Sequence, residues 1–174
     1  MRRALAGERL AFDTLVRRHQ DRAVAFGTQY LGDRELGRDA AQNAFIELAS
    51  SLASYQARGL FAAFWHRLLL NQCRMTARKR QAIRALEAVA ELQPPSTSAP
   101  LDERLVDRQF QQRVVSTLGQ LDERLRIVIA LRFSAELSLQ QIADTLDIPL
   151  GTVKSRLFNG LTTLRGLLDG ALDA

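Results

Sequence analysis

Cysteine is almost absent from this 174-residue chain: Cys73 stands alone, so no internal disulfide can form and no cysteine pair can hold a metal. Histidine is nearly as scarce. His19 and His66 are the only two, and neither has a cysteine, histidine or carboxylate neighbour at metal-ligand spacing. There is also no glycine-rich phosphate loop, no serine elbow and no paired-carboxylate motif. The expectation is a chain with no catalytic activity, no cofactor and no metal. No apolar run approaches the ~20 residues that cross a bilayer, and residues 1–10 carry charges without the apolar centre of an export signal. A cytoplasmic protein with no membrane contact is expected.

The most informative absence is of negative charge. Between Glu47 and Glu87 there is no acidic residue, while Arg58, Arg67, Arg74, Arg78, Lys79, Arg80 and Arg84 are all basic. Surface helices ordinarily intersperse both signs for local pairing, and this segment forgoes such pairs. The whole chain carries a net charge of +5 with a pI near 10.3, which agrees with an acidic partner such as nucleic acid. Because 47% of the residues are hydrophobic and 25% charged, the chain has the balance of a folded protein and not of a disordered tail.

Strand-like alternation is missing and no internal repeat is visible, so the fold class is all-α. Phe12, Leu15, Val16, Ala23, Phe26 and Tyr30 recur at helical spacing up to a break at Leu31-Gly32-Asp33. Ala41, Ala44, Phe45, Leu48 and Leu52 predict a second helix, on which Asp39, Gln42 and Ile46 lie along a separate stripe. A third helix starts near Leu60 or Phe61 and runs past Arg80. One side carries Phe61, Trp65, Leu68 and Leu69, and at about 100° per residue Arg67, Asn71, Arg74 and Arg78 form a narrow basic stripe opposite. For Phe61, Phe64 and Trp65, packing in the core competes with stacking on unpaired bases.

Three of the four prolines sit in Gln93-Pro94-Pro95-Ser96-Thr97-Ser98-Ala99-Pro100, which breaks every periodicity. The domain reading is therefore 1–90, a flexible linker over 91–104, and 105–174: two small helical domains. In the second, 101–118 is predicted helical and Asp122 is a candidate cap for a helix carrying Leu125, Val128, Ile129 and Leu131.

The last segment carries a helix-turn-helix pattern. Ser138 and Gln141 form a capping box before Leu139, Ile142, Ala143 and Leu146. Asp147-Ile148-Pro149 supplies the turn, since Asp tolerates left-handed geometry and Pro suits a first helical turn. In the helix that follows, Val153 and Leu157 pack inward and leave Thr152, Lys154, Ser155, Arg156 and Asn159 outward, as donors for phosphates and base edges. An ordinary αα-corner would produce a similar apolar pattern.

The run Ser138 to Leu146 followed by Ile148-Pro149-Leu150-Gly151-Thr152-Val153-Lys154-Ser155-Arg156-Leu157 resembles the promoter-reading helix-turn-helix of extracytoplasmic-function sigma factors, a group of the bacterial sigma-70 family. The first half is similar to the other domain of that family, from Phe12-Asp13-Thr14-Leu15-Val16 through Leu31-Gly32-Asp33-Arg34 and Asp39-Ala40-Ala41-Gln42-Asn43-Ala44-Phe45 to Phe61-Ala62-Ala63-Phe64-Trp65 and Asn71. The resemblance implies that Asp39, Gln42, Phe45 and Ile46 meet the clamp of the largest subunit of core RNA polymerase. It implies a base-reading loop from Tyr55 to Leu60, including Arg58 and leading into Phe61, for the unpaired minus-ten strand. Arg67, Asn71, Arg74, Arg78, Lys79 and Arg80 then lie near the DNA backbone. Ser138, Thr152, Lys154, Ser155, Arg156 and Asn159 would face the minus-thirty-five duplex. Many members of the family are held inactive by an anti-sigma factor, so such a partner is compatible with the resemblance.

Asn43 in place of a frequent acidic residue, the absence of the usual aromatic near Ala49, Phe64 in place of a tryptophan, Met75 where an aspartate is common, and the makeup of the helix-turn-helix all depart from the family pattern. Its second helix usually continues with several arginines, where this chain has Phe158-Asn159-Gly160-Leu161-Thr162-Thr163-Leu164. From Leu118 onward six basic residues meet seven acidic ones, which predicts modest affinity from counterion release. Gly160 also costs its helix about 1 kcal/mol relative to alanine. Two other readings remain at this point. A stand-alone helix-turn-helix regulator would leave the first half unexplained, and a helical adaptor that sequesters a partner draws some support from the nearly neutral C-terminal domain.

Overall fold

The computed structural model describes residues 9–52, 61–89, 114 and 116–170. Within them lie six helices: α1 (Arg9–Leu31), α2 (Arg34–Ser51), α3 (Phe61–Val89), α4 (Glu123–Phe133), α5 (Leu139–Leu146) and α6 (Leu150–Gly170). There is no strand among the described residues. Tyr55 and Arg58, the linker over 91–104 and the predicted helical stretch 101–113 lie outside them.

Local chemistry sets the helix ends. At the α1–α2 break Gly32 takes φ 71, a left-handed conformation that costs glycine little. The Asp33 carboxylate then accepts from the amides of Glu35 and Leu36 at 3.0 and 3.1 Å, capping α2. Asp122 does the same for α4 through the Arg124 amide at 2.8 Å. Both halves of the capping box on α5 are formed, with the Gln141 amide donating to Ser138 Oγ and the Ser138 amide donating to Gln141 Oε1. Asp147 ends α5 at φ 54, ψ 50, the left-handed geometry its residue type foretold.

Helices α1 and α2 pack backbone to backbone. A Cβ on Gly37 would lie 2.4 Å from the Thr28 amide nitrogen, and one on Gly27 would lie 2.7 Å from the Gly37 carbonyl oxygen. Ala40, Ala41 and Ala44 keep the remainder of that crossing close, all at 2% exposure or less. On this pair lies α3, with Trp65 fully buried and stacked on Phe45 at 4.5 Å between centroids. Core packing, not base stacking, is thus the role of Trp65.

Downstream, α6 crosses α4, and α5 closes the corner. Gly160 explains itself here: it is buried at the crossing, where a Cβ would come within 2.9 Å of Ile129 Cδ1. The lost helix propensity is exchanged for close approach of α6 to α4. The helices before and after the linker also meet, with α5 against α3 and α4 against α1. One apolar cluster runs from Leu15, Phe26 and Leu69 through Val128, Leu131 and Ile142 to Val153. The sequence left open whether the two helical units pack on each other; in the structure they do.

His66 is buried in this core, its Nδ1 2.7 Å from the Ala62 carbonyl. Burial outweighs that hydrogen bond and holds the imidazole down to about 4. In the unfolded chain the same group titrates near 6.5. The unfolded state therefore binds more protons between these values, and stability is complete above pH 6.5 and falls as pH drops toward 4. Unfolding by denaturant at pH 5 should give a free energy about 2 kcal/mol below that at pH 7, with the His66→Gln variant showing a smaller difference. An unchanged pH dependence in that variant would remove His66 as the cause.

Candidate nucleic-acid interface

Helix α3, which carries no acid before Glu87, places its basic residues by simple rotation. Ala63, Trp65, His66, Leu68, Leu69, Leu70 and Cys73 are buried, while Arg67, Asn71, Arg78 and Lys79 are exposed and Arg74 is half-buried. Burial pushes the Cys73 thiol up to about 12, so it stays protonated and is no thiolate nucleophile at neutral pH. Arg80 sits about 220° round the helix from Arg67. Its guanidinium turns back to the α1–α2 turn, donating to the Leu31 carbonyl at 3.3 Å and lying 3.9 Å from Asp33. The sequence reading placed Arg80 with the DNA-facing residues; the structure gives it a bracing position off that stripe. Phe61 is half-buried, its ring 6.0 Å from that of His19.

The helix-turn-helix has the expected geometry. Val153 is fully buried at the start of α6 and fixes the helix against the corner, and Leu157 and Leu164 continue the inward side. Lys154, Ser155 and Asn159 are exposed, Thr152 and Arg156 half-buried, and Ser138 is exposed at the α5 cap. One residue of this surface was missed by sequence reasoning. Phe158 is 72% exposed and lies three residues after Ser155 and four before Thr162, on the same outward side. The clue was the helical spacing from Ser155, obscured because phenylalanine reads as a core residue.

A third surface lies on α1 and α2. Asp39, Gln42 and Ile46 share one exposed stripe, with Ile46 at 61% exposure. Beside them runs an apolar groove lined by Phe12, Val16, Val24, Ala41, Phe45 and Ile46. Phe45 contributes the groove floor: it is 9% exposed and stacked on Trp65, so it shapes the groove from below. An exposed isoleucine next to an apolar groove is the composition expected where another protein docks.

The seam between the two helical units touches the basic stripe. Arg67 donates through Nε to the Thr145 carbonyl at 3.1 Å and through Nη2 to the Asp144 carbonyl at 2.5 Å. Glu123 at the start of α4 accepts from the Tyr30 hydroxyl at 2.8 Å and from Arg74 Nε at 3.3 Å. The Tyr30 hydrogen bond, with Arg74 and Arg126 nearby, holds the Glu123 carboxyl below its usual range. Burial and that same bond push the Tyr30 phenol up to about 12, and the Arg126 guanidinium lies 5.3 Å over its ring. Arg22 pairs with Glu136 at 2.5 Å, and Ser134 hydrogen-bonds Gln29.

Among the described residues no group of three or more histidine, cysteine or carboxylate side chains could hold a metal, and no helix is long and apolar enough to cross a membrane. The chain matches two family models, sigma-70 region 2 over residues 15–83 and sigma-70 region 4 over residues 117–166. It is 27% identical over 184 residues to the RNA polymerase sigma-H factor of Pseudomonas aeruginosa, covering 98% of this chain and 90% of that protein. It is 28% identical over 164 residues to the ECF RNA polymerase sigma-E factor of Escherichia coli K12, covering 90% and 85%. Two solved structures share the fold. One is CnrH in complex with the cytosolic domain of CnrY, at TM-score 0.76, 24% identity and coverage of 97% and 94%. The other is the sigma factor RpoE of Bartonella quintana in complex with the anti-sigma factor NepR, at TM-score 0.70, 19% identity and coverage of 91% and 97%.

Proposed function

The chain belongs to the extracytoplasmic-function group of the sigma-70 family, and from that premise we propose how its surfaces divide the work. It is a sigma factor: it binds core RNA polymerase and promoter DNA and directs promoter-specific transcription initiation. The unit over 1–90 carries polymerase docking and minus-ten recognition, and the unit over 105–174 carries minus-thirty-five recognition, joined through 91–104. The protein performs no covalent chemistry of its own and works in the cytoplasm, where the polymerase is. The polymerase supplies the active site; this chain supplies the address.

The observation that supports this division most is the coexistence, in one chain, of a basic helix with no acid before Glu87 and an exposed reading helix on separate units. On α3 the stripe of Arg67, Asn71, Arg74 and Arg78 takes phosphates, with Lys79 exposed to one side of it. Unpairing the minus-ten element costs a few kcal/mol, which positive charge and stacking along the displaced strand offset. On α6 Thr152, Lys154, Ser155, Arg156 and Asn159 meet the minus-thirty-five duplex with Ser138 beside them, and Phe158 adds apolar contact of the kind that suits a thymine methyl group. Tyr55 and Arg58 belong to the same minus-ten reading by sequence.

Asp39, Gln42 and Ile46, with Phe45 beneath, form the polymerase-docking face. Replacing the exposed apolar anchor, Ile46→Glu, should weaken capture of core polymerase about tenfold while the circular dichroism spectrum and melting temperature stay unchanged. Titration of labelled protein with core enzyme measures this, and undiminished capture would move the docking face elsewhere. An anti-sigma partner would have to cover this face or the DNA-reading surfaces to silence the protein.

A further inference from the structure

Helix α6 carries two neighbouring side chains that the fold does not use. Phe158 and Asn159 are both exposed, and asparagine is among the weaker helix formers, so neither packing nor local propensity accounts for the pair. Their rotation is nevertheless fixed: the next residue, Gly160, is buried where a Cβ would come within 2.9 Å of Ile129 Cδ1, which holds Asn159 outward. Around Asn159 the hydroxyls are already engaged with the helix itself. Ser155 donates to the Thr152 carbonyl at 3.1 Å, Thr162 to the Phe158 carbonyl at 2.9 Å and Thr163 to the Asn159 carbonyl at 2.9 Å. No hydrogen bond within the described residues engages the Asn159 carboxamide, which is the one carboxamide on α6. It therefore presents a free donor and a free acceptor on adjacent atoms.

Guanidinium groups stand elsewhere on the helix. Residues 158–164 hold no basic side chain, and Arg165 lies about 9 Å further along the axis and about 120° round from Asn159, 3.6 Å from Asp169. Arg156, one turn before Asn159, is half-buried. In the major groove guanine offers two acceptors, N7 and O6, and suits a double donor such as arginine; adenine offers the N7 acceptor beside an N6 donor. The carboxamide matches the second pattern, its NH2 donating to N7 and its oxygen accepting from N6. Against guanine that oxygen would meet the O6 acceptor. We propose that Asn159 fixes one base of the minus-thirty-five element as adenine, with Phe158 favouring the methyl group of a thymine beside it. The assignment rests on α6 as the helix that reads the duplex, and goes beyond it by naming the base. One well-formed bidentate contact of this kind discriminates between bases by roughly tenfold.

The test is a selection by the reconstituted holoenzyme from promoter duplexes randomised across the upstream element, followed by sequencing. The parent should enrich adenine over guanine by roughly tenfold at one position. Asn159→Arg should switch that same position to guanine and leave the others as they were, a change of preference that loss of folding would not produce. Asn159→Ala should flatten that position alone. On the selected duplex, 7-deazaadenine at that position, which removes the N7 acceptor, should weaken binding by the parent and leave the Asn159→Ala variant almost unaffected. Uracil in place of the neighbouring thymine should likewise weaken the parent and spare Phe158→Ala. A guanine preference in the parent, or an enriched element with no position that responds to the Asn159 variants, overturns the assignment while α6 remains the reader. If no upstream position is enriched, or if the enriched positions ignore Lys154→Glu and Arg156→Glu as well, the reading of α6 itself fails and the assignment falls with it.

Discussion

Gly37→Leu should lower the stability of the folded chain by more than about 4 kcal/mol, or about 12 °C in melting temperature. Even the first side-chain atom has nowhere to go, since a Cβ there would sit 2.4 Å from a backbone nitrogen and 2.8 Å from Gly27 C and Thr28 Cα. Backbone cannot swing aside as a side-chain tip can, so α1 and α2 must separate. That separation would loosen Phe26, Ala40, Ala41 and Ala44, which are packed at 2% exposure or less. The gain in helix propensity on leaving glycine, about 1 kcal/mol, is too small to offset this. Thermal unfolding followed by circular dichroism measures the loss. Glycine at 119, where a Cβ would meet nothing within 4 Å, is the natural control: Gly119→Ala should change the midpoint little. A Gly37→Leu variant melting with the parent would show that the two helices do not cross as closely as described.

The second large effect concerns the DNA face. Arg78→Glu should reduce promoter opening by roughly 30-fold, since reversal removes one phosphate contact and adds a repulsion, together about 2 kcal/mol. Arg78 is exposed and stands on the α3 stripe beyond the seam, so its loss reports on DNA without disturbing the packing of the two units. Affinity for core polymerase should remain nearly intact, because the stripe proposed for docking is on α2. The salt dependence of promoter binding should become shallower by about one unit of slope. Permanganate reactivity of the minus-ten thymines gives the opening directly. Normal opening in this variant would take the basic stripe out of the mechanism.

Short-range chemistry made much of the fold legible beforehand. The α4 cap at Asp122, the Ser138–Gln141 box and the left-handed Asp147 each depend on residues within four positions. Each was therefore readable from residue type and spacing. The three exposed stripes were readable for the same reason, since a helix places residues by rotation alone. The α1–α2 crossing at Gly27 and Gly37 was not, because a glycine within a helix looks like a weakness until its neighbour is known.

The seam was invisible for a related reason. Tyr30 and Glu123 are 93 positions apart and Arg67 and Thr145 are 78 apart, and no periodicity links such pairs. Their discovery also changes the meaning of the charge balance. The acids of the C-terminal unit made it look nearly neutral, yet Glu123 and Glu136 face the N-terminal unit, Asp122 and Asp147 serve helix ends, and Asp144 accepts from Gln140. Around Lys154, Ser155, Phe158 and Asn159 the first half of α6 carries no acid, and Asp169, further along the same side, is paired with Arg165 at 3.6 Å, so local charge at the reading residues is more favourable to DNA than the total suggested.

Reconstitution decides the central claim most directly. Purified chain added to core RNA polymerase, with transcript 5′ ends mapped on a library of genomic fragments, should yield discrete starts at a limited set of promoters. Those starts should vanish when Lys154 and Arg156 are both replaced by glutamate. A chain that neither joins the core enzyme nor confers defined start sites would contradict the account at its root.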